Sequence, residues 1–317
     1  MVYSNPLVTI GIPNYNYCHF VVDCLNSVIN QTYQNLEIII IDDCSSDNSV
    51  QLIERWINEN KKNIQIKFIK NSVNHGLTKN CNIILENARG KYFQPLDADD
   101  KIAPDKIRKQ VQLLESNPNF ALVYSNVSVI NEYGEITDSD YCSRIGYDKL
   151  NMPNGKIFNN LIEFNFISLP SVLINTEYAK SEGGFDESLQ VQDYYMWLKL
   201  AEKYKIQYVS ENLAYYRVHE ASMSNKITTY LASTDSVLRL KYRYYPLINS
   251  EQRKRMAKNI QNASVHLYEY KYWTYKKWIS IAFYLNPGFK TCLYFIAIRL
   301  AIPFSFFNKL KTLLRRF

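Results

Sequence analysis

The sequence predicts an α/β protein built on a mostly parallel sheet, and two patterns carry that prediction. Short runs of apolar, β-branched residues alternate with longer stretches whose apolar residues recur at helical spacing. Strict alternation of strand and helix is typical of parallel sheets that carry helices on their faces. Clusters of polar residues follow the predicted strands, which is where such sheets bind their ligands.

The predicted elements fill the first hundred residues. Four short, β-branched runs are bounded by turn formers, and we expect strands over residues 7–12, 36–42, 64–69 and 91–96. The stretches between them have apolar residues three and four apart, and we expect helices over residues 20–31, 49–60 and 78–88.

Polar clusters follow three of these strands, at residues 13–17, 42–49 and 97–100. Taken singly, each cluster is more typical of a turn or a helix cap than of a site. Because the carboxyl ends of parallel strands share one edge of the sheet, the three clusters together predict a single ligand-binding crevice.

The carboxylates of the third cluster predict a divalent metal. The sequence contains neither the Gly-x-Gly-x-x-Gly pattern nor a P-loop, so glycine-rich phosphate cradles are excluded. Asp97 and Asp99 can instead supply hard oxygen ligands to Mn²⁺ or Mg²⁺, and the ion can bridge the oxygens of a nucleotide diphosphate. Asp100 is expected to cap a helix that begins near Pro104.

Charge is distributed unevenly along the chain. The net charge is +7, but residues 241–317 carry +13, which leaves −6 on residues 1–240. The tail mixes aromatic and basic residues, and its apolar runs are shorter than the roughly 20 residues that span a bilayer, so we expect helices lying on an anionic membrane surface. A helical subdomain packed on the core is the alternative. Nucleic acid is not an expected partner, because the acidic crevice would repel phosphate.

The cysteines and the N-terminus bear on the compartment. The six cysteines form no Cys-x-x-Cys pair and no zinc-like spacing with the four histidines, which predicts reduced thiols. The N-terminus has neither a basic start nor a long apolar run, so a secretory signal is not expected. The expected location is the cytoplasm, in peripheral association with the inner face of the cell membrane.

Five ordered blocks of the sequence resemble the family 2 glycosyltransferases. They read VTIGIPNYN, QTYQNLEIIIIDDCSSDNS, NHGLTKNCNIILENARGKYFQPLDADD, GGFDESLQVQDYYMWLKLA and YYRVHEASMS. The resemblance implies the A-type glycosyltransferase fold, with a Rossmann-like nucleotide-binding half and an acceptor half. We therefore expect a catalytic domain over residues 1–225, with its nucleotide-sugar half at 1–100 and its acceptor half at 101–225. A basic, aromatic-rich helical region is expected over residues 226–317.

The resemblance also assigns a nucleoside site. Pro13 and Tyr15 are expected to line the nucleobase, with the tyrosine ring against its face; a packed core tyrosine is the alternative. Asp43 is expected to accept a hydrogen bond from the base, and a carboxylate suits the imide N–H of uracil, which favours a uridine nucleotide. Cys44 stands where the family usually has glycine, a departure expected to affect the turn more than the chemistry.

The remaining donor contacts follow from two further blocks. Lys79 stands where an arginine often meets the donor; it keeps the charge but loses the planar fork, and a solvated surface lysine is the alternative. The Asp-Ala-Asp run matches the family's DXD motif. It implies Asp97 near the ribose and the metal, Ala98 in contact through its backbone, and Asp99 as the principal metal ligand.

The last blocks assign the acceptor side. Asp193 matches the catalytic base, although Asp193 could instead only cap its helix. Gln192 precedes it where the family commonly has Glu, and this neutral neighbour could lower the pKa of the base or alter acceptor contacts. His219 matches a histidine that completes the metal shell in some members; a structural loop histidine is the alternative.

Together these assignments imply an inverting, metal-dependent hexosyltransferase. The expected donor is a UDP-sugar, and the expected acceptor is a glycan or a lipid-linked glycan of bacterial surface polysaccharide, such as O-antigen or capsule. The alternative is a glycosyltransferase-like scaffold without catalysis, which only Gln192 and Lys79 suggest.

Overall fold

The chain divides into two compact units. The computed structural model describes residues 5–60, 64–220, 222 and 226–307. Met1–Ala221 forms the first unit and Ser222–Phe317 the second.

The first unit is built on one sheet, whose strands in the described ranges are β1 (Val8–Asn14), β2 (Leu36–Asp42), β3 (Gln65–Lys70), β4 (Tyr92–Pro95), β5 (Lys101–Ile102), β6 (Phe120–Ile130), β7 (Ile136–Asp138), β8 (Leu173–Asn175) and β9 (Lys205–Arg217). Their order is β3-β2-β1-β4-β8-β6-β9-β5, and β7 pairs with β6. The ladders among β1 to β4 are parallel, as is the long pairing of β6 with β9, whereas β8 runs antiparallel to both of its neighbours. Most paired residues lie in parallel ladders, so the predicted α/β class with a mostly parallel sheet is confirmed.

Helices connect these strands. They are α1 (Val21–Ile29), α2 (Ser49–Asn60), α3 (Leu77–Asn87), α4 (Lys106–Ser116), α5 (Tyr141–Arg144), α6 (Phe158–Leu161), α7 (Thr176–Ser181) and α8 (Gln192–Lys203). The strands and helices predicted for the first hundred residues begin and end within two residues of the observed β1 to β4 and α1 to α3.

The burial of the residues in these strands and helices explains why the sequence pattern predicts them. Every residue of β1 and β2 is buried, as expected for the central strands of a parallel sheet with helices on both faces. In α1 the buried residues are Val21, Cys24, Leu25 and Val28, which form one helical stripe against the sheet. Continuous apolar runs and helical stripes therefore alternate along this part of the chain.

The last strand of the first unit, β9, pairs with strands that occur much earlier in the sequence. β9 runs beside β6, and its second half pairs with β5 in the register Lys101 to Tyr215. β5 follows directly on the acidic residues 97–100, and β9 ends at Arg217. The end of β9 therefore lies beside the acidic turn.

The second unit contains helices in the part of it that the structure describes. They are α9 (Ile227–Tyr244), α10 (Ser250–Glu269), α11 (Tyr275–Leu285) and α12 (Phe289–Arg299). Trp278 of α11 is fully buried and donates its indole N–H to Asp235 of α9, at 2.6 Å between Nε1 and Oδ1. A second cluster joins Tyr268, Tyr294 and Phe304. Across the described residues, the structure contains no helix with both the length and the apolar character that crossing a bilayer requires.

Candidate functional site

The ends of three parallel strands meet at one edge of the sheet. Asn14, the last residue of β1, donates its side-chain amide to Asp42 at the end of β2, at 2.8 Å. Leu96, just after β4, donates its N–H to the carbonyl oxygen of Gly11 in β1 at 2.9 Å. The three polar clusters that follow these strands are thereby brought to the same edge.

Asp43 follows β2 and organises a neighbouring loop. Its buried carboxylate accepts hydrogen bonds from the N–H groups of His75 and Gly76, both at 2.8 Å, and from the Asn71 amide at 2.9 Å. Burial alone would raise the pKa of Asp43, but these hydrogen bonds outweigh it and lower the pKa. Asp43 is therefore held ionised, and much of its accepting capacity already serves the loop before α3.

Cys44 adopts a left-handed backbone conformation with φ of 65°. Glycine enters this region without strain, whereas a residue with a Cβ does so at a cost. The substitution of Cys44 for the usual glycine therefore falls on a position where backbone conformation matters.

The other predicted nucleoside and donor residues occupy different environments. Pro13 is buried within β1 opposite Ile41, and Tyr15 lies just beyond the strand with 47% of its surface exposed. Tyr15 is therefore not a packed core residue. Lys79 is exposed in the first turn of α3. The contacts of all three with a donor stay predictions.

The acidic turn between β4 and β5 brings three carboxylates together. One carboxylate oxygen from each of Asp97, Asp99 and Asp100 lies within 4.8 Å of the others. Ala98 between them is fully buried, and the N–H of Asp100 closes the turn by donating to the carbonyl oxygen of Asp97 at 3.0 Å. The turn thus presents side-chain oxygens to one point.

Burial and repulsion among the carboxylates of the turn raise the pKa values of two of them. Burial and the charges of Asp99 and Asp193 raise the pKa of Asp97 to about 8. Burial and the charges of Asp99 and Asp97 also raise the pKa of Asp100 well above its usual value, although Arg217 opposes this shift. In the absence of an added cation, the carboxylates of the turn are therefore not all ionised at neutral pH.

His219 lies against the acidic turn. Its Nε2 is 3.1 Å from Oδ2 of Asp99, and its imidazole ring packs on Phe20 with 4.5 Å between ring centroids. Tyr17 meets the same imidazole edge-on at 5.8 Å. Burial and the charge of Asp99 raise the pKa of Tyr17. The structure therefore places His219 beside Asp99 rather than in a remote loop, and adds Tyr17, which was not predicted.

Arg217 is a second residue that the sequence did not identify. Its N–H donates to the carboxylate of Asp100 at 2.8 Å, and its guanidinium Nε donates to the carbonyl oxygen of Asp99 at 2.7 Å. The prediction that Asp100 caps a helix is wrong: α4 begins at Lys106, and the cap position belongs to Asp105. Asp100 is part of the acidic cluster instead, because the return of β9 supplies its hydrogen-bond donor.

Asp193 lies in the first turn of α8. The helix begins at Gln192 and Val191 occupies the cap position, so Asp193 is inside the helix rather than at its cap. Burial raises the pKa of Asp193, and hydrogen bonds from the Tyr194 N–H and the Asn165 side chain only partly offset that rise. Because its charge contributes to the raised pKa of Asp97, Asp193 lies near the acidic turn.

The residues of the turn fit a divalent cation. Carboxylate oxygens and an imidazole nitrogen are the ligands that Mn²⁺ accepts, and Mg²⁺ prefers the oxygens. The raised pKa values of Asp97 and Asp100 arise from burial and uncompensated negative charge, which a dication would relieve. Asp97, Asp99 and His219 are therefore the residues that could hold such an ion, with Asp100 beside them.

Comparison with known families finds a match to the family described as Glycosyl transferase family 2, over residues 9–167, which is just over half of the chain. A protein of Rickettsia conorii described as an uncharacterized glycosyltransferase is 30% identical over 218 residues, covering 68% of this chain and 34% of that protein. The chondroitin synthase of Escherichia coli is 29% identical over 270 residues, covering 81% of this chain and 37% of that protein. The chain thus spans about a third of the length of these two relatives.

Solved structures share the fold at low sequence identity. Staphylococcus aureus TarS 1–349 in complex with UDP-GlcNAc superposes with a TM-score of 0.66 at 17% identity, covering 86% of this chain and 79% of that one. The mannosyltransferase PcManGT of Pyrobaculum calidifontis, in complex with GDP-Man and Mn²⁺, superposes with a TM-score of 0.56, covering 92% and 87%. These similarities establish the A-type glycosyltransferase fold for the chain.

The raised pKa of Asp97 makes the stability of the metal-free protein depend on pH. A carboxyl with a higher pKa in the folded than in the unfolded chain binds more protons when folded, so its contribution is lost as the pH rises. We expect the free energy of unfolding in EDTA to fall between about pH 4 and pH 8, by on the order of a few kcal/mol. Urea denaturation followed by circular dichroism measures it. Asp97→Asn should reduce this dependence without removing it, because the pKa of Asp100 is raised as well, and an unchanged slope would contradict the prediction.

Proposed function

The chain belongs to glycosyl transferase family 2, and from this we propose that it is an inverting glycosyltransferase that uses a UDP-sugar. The observation that carries the proposal is the acidic turn after β4, where the carboxylates of Asp97, Asp99 and Asp100 come together and His219 lies 3.1 Å from Asp99. A scaffold without catalysis is not favoured, because Asp97 and Asp99 belong to one carboxylate cluster and the charge of Asp193 helps to raise the pKa of Asp97.

The uridine donor rests on two kinds of support. Asp43 lies at the end of β2 with a lowered pKa, so it is ionised and can accept the imide N–H of uracil. Tyr15 lies exposed beyond the neighbouring strand, where its ring can cover a base. TarS, which shares the fold, was solved with UDP-GlcNAc.

A divalent metal is the proposed cofactor. Asp97, Asp99 and His219 would hold it, and when bound it would offset the negative charge that develops on the departing diphosphate. The carboxylates of the acidic turn and the imidazole of His219 lie together. PcManGT, which shares the fold, was solved with Mn²⁺.

Removing one metal ligand tests this assignment. Asp99→Asn should lower the transfer rate by at least about a hundredfold and weaken UDP binding, because a bound cation supplies several kcal/mol of charge stabilisation. EDTA should abolish transfer by the wild type, and Mn²⁺ should restore it. Asp105→Asn makes the same charge change at a half-buried position outside the acidic turn and is the control. Undiminished transfer in EDTA would contradict the metal requirement.

Asp193 is the proposed general base. Its carboxylate takes the proton of the acceptor hydroxyl while the hydroxyl oxygen attacks the anomeric carbon, and the bond from that carbon to the diphosphate breaks with its electron pair on the diphosphate. A single displacement of this kind inverts the anomeric configuration. The raised pKa of Asp193 suits the role, because proton transfer is most efficient when the pKa of the base lies near the working pH.

Asp193→Asn separates catalysis from structure, because the amide keeps the shape of the side chain but is a far weaker base. General-base catalysis is typically worth about 10²–10⁴-fold, so kcat should fall by at least about a hundredfold with UDP affinity nearly unchanged. Glu202→Gln, near the other end of α8, is the matched control. Near-normal turnover, or a product that retains the anomeric configuration of the donor, would exclude Asp193 as the base.

The proposed acceptor is a glycan or lipid-linked glycan of bacterial surface polysaccharide, handled at the cytoplasmic face of the membrane. The second unit offers a surface for that location. Four apolar side chains of α12 and its end, Phe289, Leu293, Ile296 and Leu300, are exposed, Phe289 by 86%. With 3.6 residues per turn they lie within an arc of about 60°, and we name them the α12 stripe.

The surroundings of the α12 stripe favour an anionic lipid surface. Lys290 and Arg299 are exposed and lie on opposite sides of it around the helix. The opposite face of α12 packs in the aromatic cluster through Tyr294 and Ile298, so the stripe is a separate outer face. Apolar side chains flanked by cations are typical of helices that lie in a membrane interface.

Vesicle binding tests this surface. Replacing both Phe289 and Ile296 by Ser should weaken binding to anionic vesicles at least about tenfold, because burying each apolar side chain is worth about 1.5–3 kcal/mol. Leu247→Ser changes an equally apolar, exposed residue of the same unit away from the stripe and is the control. Equal binding by both variants, or equal binding to neutral and anionic vesicles, would contradict the assignment.

A further inference from the structure

Arg217 is the most extensively bonded side chain next to the acidic turn. It is 1% exposed, and its guanidinium donates to the carbonyl oxygen of Asp99 at 2.7 Å and to those of Asn131 and Glu132, both at 3.0 Å. A fourth guanidinium contact reaches the carboxylate of Asp23 at 3.4 Å. An arginine is seldom buried so completely unless its charge and its donors are all matched.

These partners come from separate parts of the first unit. Asp99 belongs to the acidic turn after β4, Asn131 and Glu132 belong to the turn between β6 and β7, and Asp23 belongs to α1. The planar fork of the guanidinium spans all three, and Phe20 covers it with 4.9 Å between the guanidinium carbon and the ring centroid. One side chain therefore fixes the acidic turn relative to two other elements.

The same residue also determines where His219 lies. Arg217 ends β9 and precedes His219 by two residues, and its backbone N–H is bonded to the carboxylate of Asp100 at 2.8 Å. Phe20 contacts both the guanidinium of Arg217 and the imidazole of His219. A shift of Arg217 would therefore displace His219 and the Asp99 turn together.

We propose that Arg217 is the positioning residue of the acidic turn, which fixes Asp99 and His219 at the spacing that a divalent cation requires and thereby sets the affinity for that cation. This inference rests on the proposed metal site. Arg217 acts through its hydrogen bonds to the backbone carbonyl of Asp99 and to the carboxylate of Asp100. It does not itself touch the ion or the substrate.

Lysine at this position keeps the charge but cannot reproduce the geometry. A guanidinium offers five donors in a rigid plane, whereas an ammonium is a point charge with three donors on a flexible stem. Lysine therefore cannot reach the turns at residues 99 and 131–132 at the same time. The backbone bond to Asp100 survives the substitution, so Arg217→Lys isolates the contribution of the fork.

The experiment is Mn²⁺ binding to the full-length protein, measured by isothermal titration calorimetry without nucleotide. Arg217→Lys should weaken the Kd for Mn²⁺ by roughly 10–100-fold, the range found when residues that orient metal ligands are changed. The Mn²⁺ concentration for half-maximal transfer should rise in parallel, while kcat at saturating Mn²⁺ stays close to wild type. A merely structural role would lower stability without moving the Mn²⁺ affinity.

Arg89→Lys is the control, which makes the same change at a more exposed arginine. Arg89 donates its N–H and its guanidinium Nε to the buried carboxylate of Glu37, both at 2.8 Å, near the start of β2 and away from the acidic turn. The change should cost stability and leave the Kd for Mn²⁺ unchanged.

The outcomes separate this inference from the proposed function. Wild-type protein that binds no Mn²⁺ would refute the proposed metal site, whereas equal Mn²⁺ affinity in the wild type and Arg217→Lys would refute the role of Arg217 alone. If Arg217→Lys does not fold, Phe20→Leu takes its place, because it removes the ring that holds both Arg217 and His219. A weaker Kd for Mn²⁺ in Phe20→Leu supports the proposal, and an unchanged Kd overturns it.

Discussion

The contact between Arg217 and the turn of Asp99 and Asp100 is the interaction on which the candidate site depends. Three carboxylates with oxygens within 4.8 Å of one another repel each other, and burial strengthens that repulsion. The buried guanidinium supplies one positive charge and several donors, which hold the turn in place without neutralising it. Burial and the remaining negative charge of Asp99 and Asp193 together raise the pKa of Asp97. The carboxylates of the turn thus carry more negative charge than the guanidinium of Arg217 balances.

Asp43 and Asp97 lie at the same edge of the sheet, but their pKa values are shifted in opposite directions. Asp43 is surrounded by N–H donors from the loop at residues 71–76, and its pKa is lowered. Asp97 has other carboxylates beside it, and burial together with their charges raises its pKa. Hydrogen-bond donors keep a buried acid ionised, whereas like charges keep it protonated until a cation arrives. The first arrangement suits the proposed recognition of a neutral base, and the second suits the proposed binding of an ion.

The parts of the structure that could be predicted from sequence are those whose pattern is local. β1 to β4 and α1 to α3 carry continuous apolar runs or helical stripes, and the residues after each strand were placed correctly at one edge. Arg217 and Tyr17 were missed because their roles depend on partners far along the chain. Asp100 was misassigned for the same reason: its local context suggests a helix cap, but its hydrogen-bond donor lies 117 residues later. Only the pairing of β9 with β5, which brings Arg217 to Asp100, shows that Asp100 belongs to the acidic cluster and does not cap a helix.

That separation in sequence also governs the order in which the site can be assembled. The acidic turn leaves the ribosome well before Arg217 and His219, which follow it by 117 and 120 residues. At a synthesis rate of about 5–20 residues per second, the carboxylates wait roughly 6–24 s for their partners. Contacts of such high sequence separation form late and slowly in folding. The acidic turn therefore gains its contacts with Arg217 and His219 only once β9 has paired with β5.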